Sequence, residues 1–199
     1  EWQLFSGILP PLNHNEWITY FNLYKEIPEF KLQNYLMTLN EFKIIFWWEF
    51  IHRFLGRLIG IFFLIPLLFF SFKIGFRKTA KFHIIFLLIC LQGFVGWYMV
   101  SSGLTERTDV SHYRLSVHLT LAFIIFMLLL WNFLKYKDKE NKANYIKIYY
   151  SLPNIFLFLL IVQISIGALV SGLDAGKIYT TWPLMNQNFF PDDSNLNDL

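Results

Sequence analysis

Four long stretches of the chain carry almost no charge. Residues 82–104, 115–134 and 148–171 are interrupted only by histidines and uncharged polar residues, and 44–72 is apolar through its second half. A membrane-crossing helix needs about 20 apolar residues, so the pattern predicts four. The 44–72 stretch is unusual in its first half, which holds Glu49, His52, Arg53 and Arg57. Ahead of it, Thr38-Leu39-Asn40-Glu41 reads as a capping box, which starts a long helix near Leu39 with Pro66 as its expected kink. Residues 1–43 and 172–199 are left as outer segments. Within the first, residues 16–27 predict a short amphipathic helix, begun by Asn15 and stopped by Pro28, with Trp17, Tyr20, Phe21 and Tyr24 suited to a membrane interface. The acidic tail 191–199 predicts no ordered structure. None of the apolar stretches has the flanks of a cleavable signal peptide.

Composition agrees. Of 199 residues 55% are hydrophobic, 16% are charged and 20% are aromatic, with a mean hydropathy of +0.42. That is too little polar surface for a water-soluble domain of this size, and it excludes disordered chains and disulfide scaffolds. The lone Cys90 excludes an internal disulfide, an iron–sulfur cluster and a Cys-rich zinc site. A net charge of +3, scattered along the chain, gives no footprint for nucleic acid. The fold class is therefore all-α integral membrane. Lysine and arginine set its orientation. Loop 73–81 holds Lys73, Arg77, Lys78 and Lys81, and loop 135–147 holds Lys135, Lys137, Lys139, Lys142 and Lys147. Loop 104–114 has only Arg107 and Arg114. Both basic loops are expected in the cytoplasm and both chain ends outside. One internal echo stands out: Gln92…Gly96…Val100-Ser-Ser-Gly-Leu104 against Gln163…Gly167…Val170-Ser-Gly-Leu173. It fits duplicated halves, and equally a shared glycine-rich packing face.

Ionisable residues inside a membrane helix point to function. Glu49, His52, Arg53, Gly56, Arg57 and Gly60 are spaced 3, 1, 3, 1 and 3, which puts all six on one helical face. Phe50, Phe54, Leu58, Ile61 and Phe62 take the other side, so the charged face is expected to look into a bundle. A salt-bridged face that only orients the helix at the interface is the plainer alternative, as is a Glu49–Arg53 pair. A second histidine, His118, lies on the 115–134 helix with Arg114 one turn above it. His52 stands 21 residues from Lys73 and His118 17 from Lys135, or about 32 and about 26 Å at 1.5 Å per residue. Two histidines at similar depth suit a six-coordinate haem held between helices, with arginines on its propionates. A purely structural His118 stays open. His14 reads as an outer-loop residue, His83 as a cytoplasmic-end residue far from the pair, and His112 as a surface residue pointing away from His118. A di-iron carboxylate site, a Gly-x-Ser-x-Gly elbow, a phosphate loop and a dinucleotide fingerprint are all missing.

At these residues the sequence resembles the heme A synthase family, in its proteobacterial and mitochondrial branch. The resemblance is carried by Pro10-Pro11-Leu12-Asn13, Glu41-Phe42-Lys43, Trp48-Glu49-Phe50-Ile51-His52-Arg53 and Gly56-Arg57. It continues through Gly96-Trp97-Tyr98-Met99-Val100, Ser102-Gly103-Leu104, Arg114-Leu115, His118-Leu119, Gly172-Leu173-Asp174-Ala175-Gly176 and Thr181-Trp182-Pro183-Leu184-Met185. The ordered series spans nearly the whole chain; the acidic tail departs from it. The resemblance implies an eight-helix protein made of two four-helix bundles, of which this chain would hold helices two to five. On that expectation the chain is a fragment, inactive alone.

The resemblance further implies oxidation of the C8 methyl of heme O to the formyl group of heme A, for terminal oxidases. By motif match Glu49 is the catalytic residue, and His52 and His118 face the iron of heme O or heme A. Arg53, Arg57 and Arg114 are candidates for propionate contacts. An electron-transferring heme b is expected in the second half. Some members carry a cysteine pair in the first outer loop; residues 1–43 have none. Implied partners are the heme O substrate, heme O synthase, an electron donor and the lipid of a bacterial inner membrane. A homo-oligomer stays open. The rival readings are a b-type membrane cytochrome using the same histidines, a proton-coupled transporter, and a structural assembly subunit.

Overall fold

The computed structural model describes residues 9–101, 108–140, 151–181 and 183–190. The predicted tail 191–199 and the motif residues Ser102, Gly103, Leu104 and Trp182 lie outside them, as do Arg107, Lys142 and Lys147. The described residues form seven helices: α1 (His14–Tyr24), α2 (Pro28–Leu32), α3 (Leu39–Ile74), α4 (Phe76–Ser101), α5 (His112–Glu140), α6 (Ser151–Gly172) and α7 (Ala175–Ile178). Among them there is no strand beyond an isolated Met185–Asn188 bridge. Four helices are long and apolar enough to cross a membrane: Leu39–Ile74, Phe76–Ser101, His112–Lys137 and Leu152–Gly172. This is an integral membrane protein. α3 packs on α4, α4 on α5, and α5 on α6.

The capping box starts α3. The Thr38 hydroxyl accepts from the Glu41 N–H, and the Glu41 carboxylate accepts from the Thr38 N–H at 2.7 Å. From there α3 runs 36 residues, about 54 Å, against a hydrocarbon core of about 30 Å. The surplus carries an aromatic cap. α1 lies on it, with Trp17, Phe21, Phe42, Phe46 and Phe50 buried together and Tyr20, Tyr24 and Phe30 around them. Trp17 meets Phe46 edge-on at 4.9 Å between centroids, and Phe21 meets Phe42 at 5.3 Å. The aromatics expected at a membrane interface thus pack on protein. α1 also begins earlier than predicted: Asn13, not Asn15, accepts from the Glu16 N–H, and Glu16 accepts from the Leu12 N–H and the Asn13 amide. His14 is therefore the first helical residue rather than a loop residue. Pro28 opens α2 instead of only closing α1, since proline suits a first helical turn.

The basic loop 73–81 shrinks to one residue. Gly75, at φ +93°, joins Ile74 to Phe76, so Lys73, Arg77, Lys78 and Lys81 sit on helix ends. Long basic side chains can reach water from there, and the helices need not stop at the hydrocarbon boundary. A positive φ is what restricts this position to glycine. Behind the turn, the buried Ser71 hydroxyl donates to the Leu67 carbonyl at 2.6 Å and lies 3.0 Å from Thr79 Oγ1 and 3.3 Å from His83 Nε2. The His83 Nδ1–H donates to the Thr79 carbonyl at 3.1 Å. His83 is a structural clasp of the α3–α4 hairpin.

Candidate functional site

Glu49, His52, Arg53 and Arg57 share one face of α3 because α-helical residues three and four apart align. Arg53 and Arg57 are partly buried, whereas Glu49 and His52 are exposed. The expected enclosure of this face in a bundle is thus partial among the described residues. A Cβ added at Gly56 or at Gly60 would meet nothing within 4 Å. Arg53 reaches back one turn to the Glu49 carboxylate at 3.4 Å. The plainer alternative of an i,i+4 pair is present, and it also orients the carboxylate.

The second histidine has tighter surroundings. His118 on α5 is partly buried. The Gln92 amide of α4 donates to its backbone carbonyl at 3.0 Å, and the same nitrogen lies 3.3 Å from His118 Nε2. Gly96 lies one turn along α4. A Cβ there would stand 2.8 Å from His118 Cε1, closer than carbon atoms approach without a shift. His118 Nδ1 and Gln92 Oε1 are buried and find no hydrogen-bond partner among the described residues. His52 lies within electrostatic reach of His118. His52 and His118 stand on two helices that each pack on α4, and Arg114 lies one turn from His118 on α5. The Arg114 guanidinium sits 4.8 Å over the Tyr98 ring.

The cap on α3 has a polar network of its own. Tyr24 donates to Glu29 at 3.0 Å, and the Asn34 amide donates to the Tyr24 oxygen at 2.9 Å. Burial, reinforced by the Glu29 and Glu49 charges against the Asn34 bond, pushes the Tyr24 phenol up to about 12. Burial also raises Glu29, opposed by the Tyr24 bond and aided by the charges of Glu49 and Asp109. The cap network and Glu49 therefore share one electrostatic environment.

Sequence reasoning missed Gln92 as a partner of His118, since the two are 26 positions apart. Its only signal was the Gln92…Gly96 spacing, which fitted duplicated halves and a shared packing face equally. His112 is not a surface residue: it is partly buried, its ring 4.1 Å from that of Tyr113, and its Cα and Cβ occupy the space a Gly172 side chain would need.

Among the described residues no three His, Cys, Asp or Glu side chains gather to hold a bare metal ion. Two imidazoles without a carboxylate or thiolate ligand suit an iron that arrives already held by a porphyrin. The space beside Gly56 and Gly60 is open to such a planar group, and Nδ1 of His118 is uncommitted among the described residues. Arg53, Arg57 and Arg114 supply positive charge for carboxylates.

The family model described as cytochrome oxidase assembly protein, COX15-CtaA, matches residues 1–198. Curated relatives named Heme A synthase include that of Pelagibacter ubique, 53% identical over all of this chain and 59% of its own length. That of Rhizobium rhizogenes is 47% identical over 96% of this chain and 53% of its own, and that of Rickettsia bellii 46% identical over 96% and 58%. The chain spans less than two thirds of the length of these relatives. No solved structure matches it. A match over almost its whole length, in a chain with four helices long and apolar enough to cross a membrane, means that the chain belongs to the COX15-CtaA family of cytochrome oxidase assembly proteins.

Proposed function

We propose that the protein is a heme A synthase, oxidising the C8 methyl of heme O to the formyl group of heme A. In this reading His52 and His118 bind the iron of the substrate, and Arg53, Arg57 and Arg114 hold its propionates. The observation that carries it is His118: a partly buried imidazole with one nitrogen unpartnered among the described residues, within electrostatic reach of His52. The curated relatives bearing that enzyme's name support the reaction. A heme b, heme O synthase and a redox partner belong to the same proposal, as does a bacterial inner membrane with both chain ends outside.

Methyl-to-formyl conversion is a four-electron oxidation, its electrons leaving to the redox partner of this proposal, and it passes through an electron-poor carbon. A carboxylate stabilises such a carbon and accepts the proton of an attacking oxygen nucleophile. Glu49 has that role here, held by Arg53 at 3.4 Å. The Arg53 side chain thereby serves both the carboxylate and the substrate's negative end.

The test is pigment analysis of the full-length protein in a heme O-producing host. Wild type is expected to yield heme A. Glu49→Gln is expected to retain bound heme O with conversion lowered about 100-fold or more, the scale of a lost acid–base group. Unchanged conversion would remove Glu49 from the chemistry, and heme B alone in both would leave a b-type cytochrome.

A further inference from the structure

We propose that the α3–α4 hairpin is a binding site for an anionic phospholipid, with the positive charge of Lys73, Arg77, Lys78 and Lys81 holding its phosphate and its acyl chains lying along α4.

The sequence concentrates uncompensated charge at this turn. Four cations fall between positions 73 and 81, and from Phe50 to Thr105 no aspartate or glutamate balances them. All four are exposed, and among the described residues none enters an ion pair. The basic end of α5 differs. There Lys135 and Lys137 are followed by Asp138 and Glu140, so that stretch carries its own counter-charges.

The turn also fixes where the charge stands. Gly75 is the one residue between the two helices, so helix ends carry the cations and no loop does. Beneath them the buried Ser71 and Thr79, with His83, tie α3 to α4. Arg77, Lys78 and Lys81 share one side of α4, at spacings of four and three. That side continues toward the middle of the helix as Ile84, Leu87 and Leu91, all exposed. A cationic end running into an exposed apolar stripe matches a phosphodiester with its chains.

Two ring contacts mark the level of the headgroup. The Lys73 ammonium lies 5.7 Å from the centre of the Phe69 ring, and that of Lys81 lies 4.7 Å from the centre of Phe82. Lys73 thus folds back one turn along α3, toward the apolar part of the helix. An ammonium placed there gives up part of its water, and an anion at the edge of the hydrocarbon makes good that loss. A lipid phosphate sits at that edge, whereas a soluble anion has no use for the apolar stripe. Near a membrane surface, each such cation favours anionic lipid by about fivefold.

The experiment uses full-length protein in detergent with equal amounts of phosphatidylglycerol and phosphatidylcholine, and retained lipid is counted by native mass spectrometry. Wild type is expected to retain phosphatidylglycerol preferentially. Arg77→Gln with Lys81→Gln should lower that retention about 30-fold, the effect of two cations. Lys135→Gln with Lys137→Gln should lower it less than about threefold, because their charge is already compensated. The swap of Arg77→Lys with Lys81→Arg keeps the charge and should retain lipid as wild type does. If the doubly neutralised hairpin fails to fold, Lys81→Gln alone decides, with an expected loss of about fivefold. Equal losses from the hairpin and from the α5 end would overturn the proposal, leaving a general basic surface. So would a wild type that retains both lipids alike. Displacement of the bound lipid by excess inorganic phosphate would also overturn it, since the site would then take phosphate and not a phospholipid.

Discussion

Helices α4 and α6 carry the same glutamine–glycine spacing, and the fold uses it in two ways. On α4, Gln92 bonds to His118 and Gly96 leaves room for its ring. On α6, Gln163 is exposed and Gly167 has nothing within 4 Å of its absent side chain. The close approach falls instead at Gly172, whose Cβ would meet the Cα and Cβ of His112 at 2.8 Å. Around it α5 and α6 are joined by hydroxyls: Ser116 donates to the Ser165 carbonyl at 2.9 Å, and Thr120 lies 2.8 Å from Ser165 Oγ. Two glycines with the same clash distance therefore protect different things. One protects the orientation of an imidazole, the other the spacing of two backbones. A repeated motif can thus recur without repeating either the packing or the site.

The largest expected effect is at Gly96. In full-length protein Gly96→Val should drive a side chain into the His118 ring and lower heme O retention at least about tenfold, on the scale of an overpacked contact. Haem content per folded protein is the readout. Wild-type retention would mean that the glycine is there for helix packing alone. Gly172→Ala is the counterpart. It should destabilise the protein by about 1–3 kcal/mol, because backbone gives way less easily than a ring. Haem content of the folded fraction should stay unchanged. A loss of haem equal to that of Gly96→Val would erase the distinction between the two helices.

How much of this was legible follows from the range of each interaction. The α3 start at Leu39 could be read because a capping box is settled within four residues. The same local logic failed by two positions at α1. Asn13 and Asn15 both precede acceptable helix, and only Asn13 has Glu16 three residues on to complete the box. The charged face of α3 was visible as helical spacing, but its exposure was not, since that depends on what stands beside Gly56 and Gly60. The Gln92–His118 pair joins two helices, and no periodicity in either one announces it. The hairpin at Gly75 was mistaken for a loop because basic residues mark the membrane boundary, not the helix end.

The smallest effect comes from the cap, which touches neither glycine and so serves as the control. Tyr24 is raised from 10.0 to about 12 mainly by burial. A raised value in the fold means that the stability it confers is complete below pH 10 and is lost as the pH climbs toward 12. Glu29 has the same sign at lower pH: its contribution is present below the ordinary carboxylate value and fades above its raised one. Two lysines also lie over rings of the cap, Lys25 over Phe21 at 4.3 Å and Lys43 over Trp17 at 5.3 Å. Tyr24→Phe isolates the phenol from both. It should cost about 1 kcal/mol at neutral pH, one hydrogen bond's worth, and flatten the alkaline loss of protection in the α1 amides measured by hydrogen exchange. Haem content should not move. If α1 in the variant still loosened between pH 10 and 12 as in wild type, ionisation of Tyr24 would not be what opens the cap, and the Tyr24–Glu29–Asn34 network would be secondary to the aromatic packing.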